Sequence, residues 1–521
     1  MHLRMEYDER LQPELDAVET SWRSGRLGPI DRRRLLFDNS CMNTSIGDIR
    51  RANTHPNLIL GICCLSLLMV AMDATIVNVA LPSIRHDLAA SISGLQWVID
   101  AYTMVVASLL MLAGSMADRF GRRRVFQSGM ALFMLGSLLC SVAPDIHSLI
   151  AFRILQALGA TMLNPVAMSI IANTFHEPKA RARAIGIWGA VAGVAMALGP
   201  VIGGALTQSI GWRSIFWVNL PVGAAAMLLA ARYIPESKAA HPRRVDPIGQ
   251  VLVFVILAAV TYAVIEGPHA GWGSTTIVGL FAAAALALIS LLVYEPRRHE
   301  PLIDVRFFRS APFSSATLIA VCSFSAFSGF LFLNALYLQE VRGLSAFHTG
   351  LCTLPLALAT MLCSPLSGRW VGTYGTRPSL LASGTATVVS ALMMTQLTAT
   401  TPLPLLLLTY VIFGIGFGMV NAPITNTAVS GMPKAQAGLA AAVASTSRQI
   451  GASLGVALAG TILGARIHSG FAEASHPFWW LITGGGVTVL LLAWLSNTRW
   501  ARDTTRHAAH LLEETSAGAT A

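Results

Sequence analysis

Apolar residues along this chain gather into runs long enough to cross a bilayer, each closed by a short polar stretch. A helix needs about 20 predominantly apolar residues to span the hydrocarbon core, and runs of that size recur from residue 58 to residue 496. The pattern predicts spans at 58–80, 96–116, 125–143, 147–171, 185–207, 214–233, 247–265, 275–294, 313–338, 348–371, 379–398, 403–427, 437–465 and 478–496. That makes fourteen helices. The intervening segments test the count independently, because basic residues concentrate in cytoplasmic loops. With the N-terminus inside, the inside loops and C-terminal tail hold twenty-one Lys and Arg residues, and the outside loops hold only Arg85, Arg213, Arg342 and Arg466. One missed helix would scramble that segregation. The expected fold is an all-α, multi-pass protein of the cytoplasmic membrane with both termini cytoplasmic.

Composition sharpens this. Of 521 residues, 54% are hydrophobic and 12% charged, with mean hydropathy +0.60; an ordinary soluble domain is about 25% charged. A soluble enzyme is excluded. The net charge of +10 would suggest nucleic acid in a soluble protein, but here the basic loops account for it. The seven cysteines form no C-x-x-C pair and the 13 histidines have no ligand spacing, so no metal site is expected. No G-x-x-x-x-G-K-[ST] occurs, so ATP-driven pumping by this chain on its own is excluded, and no cofactor is implied. Residues 1–57 are charged and aperiodic and read as a disordered tail, with Met42 an alternative start.

A weak internal repeat divides the rest. The segment Gly114–Arg124, G-S-M-A-D-R-F-G-R-R-R, aligns with Gly368–Pro378, G-R-W-V-G-T-Y-G-T-R-P, through Gly114, Gly121 and Arg123 against Gly368, Gly375 and Arg377. Many transporters are built from two such six-helix halves. The expected halves are 58–233 and 313–496, with a linker at 234–312 carrying two extra helices and a tail at 497–521.

Charges inside spans are the candidate chemistry, since each costs roughly 2.5–3.5 kcal/mol at mid-bilayer on insertion scales. Asp73, Asp100, Arg153 and Arg448 qualify. Asp73 lies about 13 Å below the outer end of its helix, and Asp100 and Arg153 about 6–9 Å below theirs, at 1.5 Å per residue. The three are expected to share a water-filled cavity in the outer half; an ion pair that merely fixes helix packing is the alternative. Asn78, Asn164, Asn421, Asn426 and Arg448 are candidate cavity-lining groups. In the loop after the second span, Asp118 can accept charge-assisted bonds from neighbouring arginines.

Four motifs resemble the major facilitator superfamily in its fourteen-helix drug:proton antiporter branch. The first span ends M-D-A-T-I-V-N-V-A-L-P (Met72–Pro82), and the loop after the second matches G-x-x-x-D-R-x-G-R-R. The fourth span has R-I-L-Q-A-L-G (Arg153–Gly159), with Ala157 where the family has glycine. The fifth has Gly189, Gly193, Gly199, Pro200, Gly203 and Gly204 at the spacing the family associates with export by exchange. The resemblance implies a proton-coupled efflux transporter working by alternating access. Its expected partners are small-molecule drugs, protons and the lipid bilayer, with the chain acting as a monomer and accessory envelope proteins left open. It implies coupling through Asp73 with Asp100 and Arg153, and a conformational latch at Gly114, Asp118, Arg119, Gly121, Arg122 and Arg123. An exporter dedicated to one host metabolite, an antibiotic or siderophore, is the nearest alternative. A membrane sensor that kept the fold is a more distant one, because neither tail offers an output domain.

Overall fold

The computed structural model describes residues 55–239, 246–298, 301–433, 436–466, 470–496 and 498–518. The chain divides into two units, Met1–Pro56 and Asn57–Ala521. The expected disordered tail, with Met42, lies outside the described residues apart from its last three positions.

Fifteen helices of 15 residues or more build the second unit, and there is no strand among the described residues. They are α1 Pro56–Asp87, α2 Ile92–Phe120, α3 Arg122–Ser141, α4 Ile146–Thr174, α5 Pro178–Ser209, α6 Asn219–Tyr233, α7 Pro247–Ala270 and α8 Thr275–Tyr294. After these come α9 Ala311–Leu336, α10 Ala346–Tyr374, α11 Thr376–Met394, α12 Leu403–Val429, α13 Ala437–Arg466, α14 Phe471–Leu495 and α15 Arg499–Gly518. A short helix, Ser214–Trp217, precedes α6, and a π-turn, Tyr337–Val341, closes α9.

Twelve are long and apolar enough to cross a membrane: α1 to α10, α12 and α14. The other two core helices are diluted by hydroxyls and glycines that serve neighbouring helices. On α11, Ser379 donates to the Met419 carbonyl at 2.7 Å and Ser383 to the Gly416 carbonyl at 2.7 Å. On α13, Gly451 and Gly455 lie against the α9 backbone at Val321 and Ser325, a contact that only small residues permit.

In the first half α4 packs against α2 and α3, and α3 against α6; likewise α9 packs on α13, α10 on α12 and α11 on α14. Two seams join these groups, α5 with α10 and α2 with α13. The extra pair attaches beside the second seam. Trp97 Nε1 of α2 donates to Glu266 Oε1 of α7 at 2.8 Å, and Thr461 Oγ1 of α13 donates to the Val264 carbonyl at 2.7 Å. Helix α8 leaves Val278, Leu286, Ile289 and Leu292 exposed, the surface expected of a lipid-facing helix.

The C-terminal tail holds a helix where the sequence suggested only a tail. Thr504 Oγ1 of α15 accepts from the Ala311 N–H at 3.1 Å, pinning α15 to the start of α9.

Candidate substrate and proton-coupling site

Helices α3 and α4 touch through glycine. A Cβ on Gly136 or Gly159 would strike the facing backbone at Gln156 or Phe133. This close approach seats Arg153 and Gln156 beside α1. Arg153 Nη1 donates to Asp73 Oδ2 at 2.7 Å and to Gln156 Oε1 at 2.8 Å, and its Nε donates to the Val98 carbonyl at 3.2 Å. Gln156 Nε2 and Asn219 Nδ2 donate to Asp73 Oδ1 at 2.8 and 2.9 Å. The Arg153 guanidinium also lies 4.2 Å from the centre of the Tyr102 ring. Asp73, Gln156 and Asn219 are fully buried, and Arg153 is 1% exposed.

Two of the three proposed coupling residues are thus in direct contact, in a fully buried network. Asp100 stands apart. Val98 and Tyr102 face Arg153, and at 100° per residue Asp100 between them points to the opposite side of α2. There it approaches Ser453 of α13; Thr103 Oγ1 lies 3.4 Å from its Oδ1, and its Oδ2 is buried without a partner. Of the three residues expected to share one cavity, the structure thus joins Asp73 with Arg153 and sets Asp100 on the other side of α2. Sequence reasoning also missed Asn219, whose only signal was an amide inside the sixth apolar run, and it left Gln156 as a motif letter rather than a ligand of Asp73.

The arginine-rich motif is tighter than a loop. Asp118 and Arg119 belong to the last turn of α2 and Arg122 to the first of α3, with Gly121 alone between them at φ 110°, where a side chain is strained. Asp118 Oδ1 accepts from Arg122 Nη2 at 2.8 Å, and the Arg123 N–H donates to Glu236 Oε1 at 3.1 Å. A Cβ on Gly114 would meet nothing within 4 Å, and Arg119 is exposed.

The glycine motif of α5 splits in two. Gly199 packs on Thr75 and on the Met72 carbonyl, and Gly203 on Ile76 of α1. Gly204 meets the Ala346 carbonyl of α10, and Gly350 of α10 meets the Pro200 carbonyl. By contrast, Gly186, Gly189 and Gly193 of α5 and Gly368 and Gly372 of α10 face open space. Further bridges lie at the packed end. Arg85 Nη1 reaches Glu340 Oε2 at 2.7 Å, and Gln339 Nε2 donates to the Val79 carbonyl at 2.8 Å. The two helix groups are closed together at the face opposite the Arg119–Arg124 loop and part toward the face that carries it.

Among the other candidates, Asn78 is buried and donates to the Ala74 carbonyl at 3.3 Å, and Asn164 Oδ1 is buried without a partner. Asn421 is half-buried and Asn426 exposed. Arg448 Nη2 donates to Thr425 Oγ1 and lies 3.5 Å from the Asn421 carbonyl oxygen. No group of three metal-ligating side chains exists among the described residues.

A multi-pass helical bundle with one closed and one parted face, and an ion pair buried at its core, has the architecture of a membrane transporter. Residues 63–456 match the model of the Major Facilitator Superfamily, and the chain belongs to that family. It is 39% identical over 401 residues to the multidrug resistance protein Stp of Mycobacterium tuberculosis, covering 77% of this chain and 74% of that one. It is 34% identical over 416 residues to the tetracenomycin C resistance and export protein of Streptomyces glaucescens, covering 79% and 77%. With the methylenomycin A resistance protein of Bacillus subtilis it shares 33% over 454 residues, covering 86% and 96%. Its fold resembles a crystal structure of a bacterial homologue of the human lysosomal transporter Spinster, inward-facing and unoccupied. The TM-score is 0.58 with 17% identity over 89% of this chain and 98% of the other.

Proposed function

We propose that this chain is a proton-coupled antiporter that exports drugs or other amphipathic small molecules across the cytoplasmic membrane by alternating access. In this reading α1 to α14 all cross the bilayer, both termini are cytoplasmic, and the parted face opens inward. The observation that carries it is the asymmetry of α5. One end of its glycine row is packed against α1 and α10 while the other end is free, as a rocking contact requires. Relatives named for multidrug resistance and for antibiotic export support the direction of transport.

Protons enter the cycle through Asp73 and Asp100. Asp73 is held by Arg153, Gln156 and Asn219 in this state; protonation would weaken its bond to Arg153 and free α1 to move against α4. Asp100, at the α2–α13 seam, has an unpartnered oxygen and would serve as a second proton site. One elementary charge crossing about 100 mV supplies about 2.3 kcal/mol. A monovalent cation exchanged for one proton forgoes that, and a second proton restores it.

The test is proton-driven uptake of a neutral and a cationic dye into inverted vesicles. Asp73→Asn is expected to abolish both, and Asp100→Asn to spare the neutral dye and weaken transport of the cation. Full activity in Asp73→Asn would move coupling elsewhere. Two relatives are named for single antibiotics, tetracenomycin C and methylenomycin A, which favours as second reading an exporter dedicated to one such metabolite; a dye panel in which only one structural class moves would select it.

A further inference from the structure

Among the described residues, Arg448 is an intramembrane cation with no carboxylate partner. On α13 it occupies the same stripe as Gly451 and Gly455, at i, i+3 and i+7, and those glycines lie against α9. Where the stripe reaches Arg448, the side chain passes Phe324 of α9, its guanidinium 6.0 Å from the ring centre. It ends on α12 at Thr425 Oγ1 and the Asn421 carbonyl. Both of those acceptors are neutral. Its Nε is buried without a partner, and no ion pair to Arg448 occurs among the described residues. Eleven residues from the start of α13, it sits about 16 Å along that helix at 1.5 Å per residue. An unpaired charge at that depth is costly, whereas the other buried arginine, Arg153, has Asp73 at 2.7 Å.

Its surroundings are those of a ligand subsite. Arg448, Phe324 and Asn421 are only half-buried, and Thr425 is exposed. Phe324 is backed edge-on by Phe417 at 5.2 Å, and Phe417 is stacked on Phe327 at 4.0 Å. A rigid aromatic wall therefore stands beside a planar five-donor fork that has unused capacity. We propose that Arg448 is the anion-recognition point of the substrate cleft, and that the cleft takes aromatic molecules bearing a carboxylate, the ring against Phe324 and the carboxylate on the guanidinium. The proposal names a substrate class for the exporter reading above and rests on it.

The test uses purified full-length protein in detergent, with no proton gradient, and measures binding of 2-naphthoate and of its uncharged carboxamide. The wild type is expected to bind the naphthoate about tenfold more tightly, as charge-assisted bonds are roughly twice as strong as neutral ones. Arg448→Gln should remove that preference, with a much larger loss for the naphthoate than for the carboxamide. Arg448→Lys should fall between, because it keeps the charge and loses the fork. If Arg448→Gln does not fold, the Arg448→Lys comparison decides, and an unchanged naphthoate preference there overturns the proposal. A wild type indifferent to the carboxylate overturns it, and so does an equal loss of both probes, which would mark Arg448 as a strut between α13 and α12. Because binding is read without a gradient, failure of proton-driven export would leave this result standing, and failure here would leave export standing.

Discussion

Arg85 at the end of α1 and Glu340 after α9 form a two-pronged ion pair, with Nη1 2.7 Å from Oε2 and 2.9 Å from Oε1, across the closed face. Both side chains are about one-third exposed (35% and 31%), so the pair is worth about 0–1 kcal/mol. That is enough to bias a conformational equilibrium up to about fivefold. Arg85→Ala should raise the rate at which a cysteine placed at Ser83 is labelled from that face by up to this factor, and the swap Arg85→Glu with Glu340→Arg should restore it. An unchanged rate would mean that backbone contacts alone hold the face shut.

The buried pair behaves differently. Asp73→Asn leaves Arg153 charged, enclosed and without its counter-ion, a change that costs about 3–5 kcal/mol in comparable sites. A large drop in thermal midpoint is expected. The double variant Asp73→Leu with Arg153→Met should recover much of that stability, because replacing a whole buried pair by apolar residues is often neutral, yet it should remain inactive in transport. Recovery of both would reduce the pair to a packing device.

Gly204 and Gly193 belong to one motif and face opposite surroundings. A Cβ on Gly204 would press on the Ala346 carbonyl, a backbone atom that cannot rotate away, whereas Gly193 has nothing within 4 Å. Gly204→Ala is expected to loosen the closed face. The measurement is disulfide trapping between cysteines at Gln208 and Phe347, where the Phe347 N–H lies 3.3 Å from Gln208 Oε1. Trapping should fall in Gly204→Ala and persist in Gly193→Ala.

Asp118→Asn removes the charge that pairs with Arg122 and keeps the shape. Membrane insertion should be intact and transport slowed by about tenfold, equivalent to about 1.4 kcal/mol. Wild-type rates would leave Asp118 as an anchoring residue only.

Topology can be read chemically as well. A cysteine in the segment 268–273, at the end of α7 and in the turn after it, should label from outside the cell, and one in 296–311 should not. The reverse would invert the orientation assigned to this pair.

Much of the site was legible in the chain because charge inside an apolar run is conspicuous. Asp73, Asp100, Arg153 and Arg448 stood out one by one. Their partners did not: Gln156 and Asn219 are uncharged, and Asn219 is 146 positions from Asp73, a pairing that only the packing of α6 on α3 and α3 on α4 creates. Helix α15 escaped notice because its residues lack an apolar run, and what positions it is a contact of Thr504 with Ala311.

The chain by itself determined the number and order of apolar runs, the segregation of basic loops and the presence of ionisable groups within spans, since these follow from local solubility in lipid or water. Which carboxylate is paired, which is left open, and which face is closed were decided only by tertiary structure. Asp100 is two residues from Val98 and from Tyr102, yet a helix turns it about 200° away from both, toward another group of helices. The glycines of α5 are alike in sequence, and only the positions of α1 and α10 separate those that touch from those that stand free.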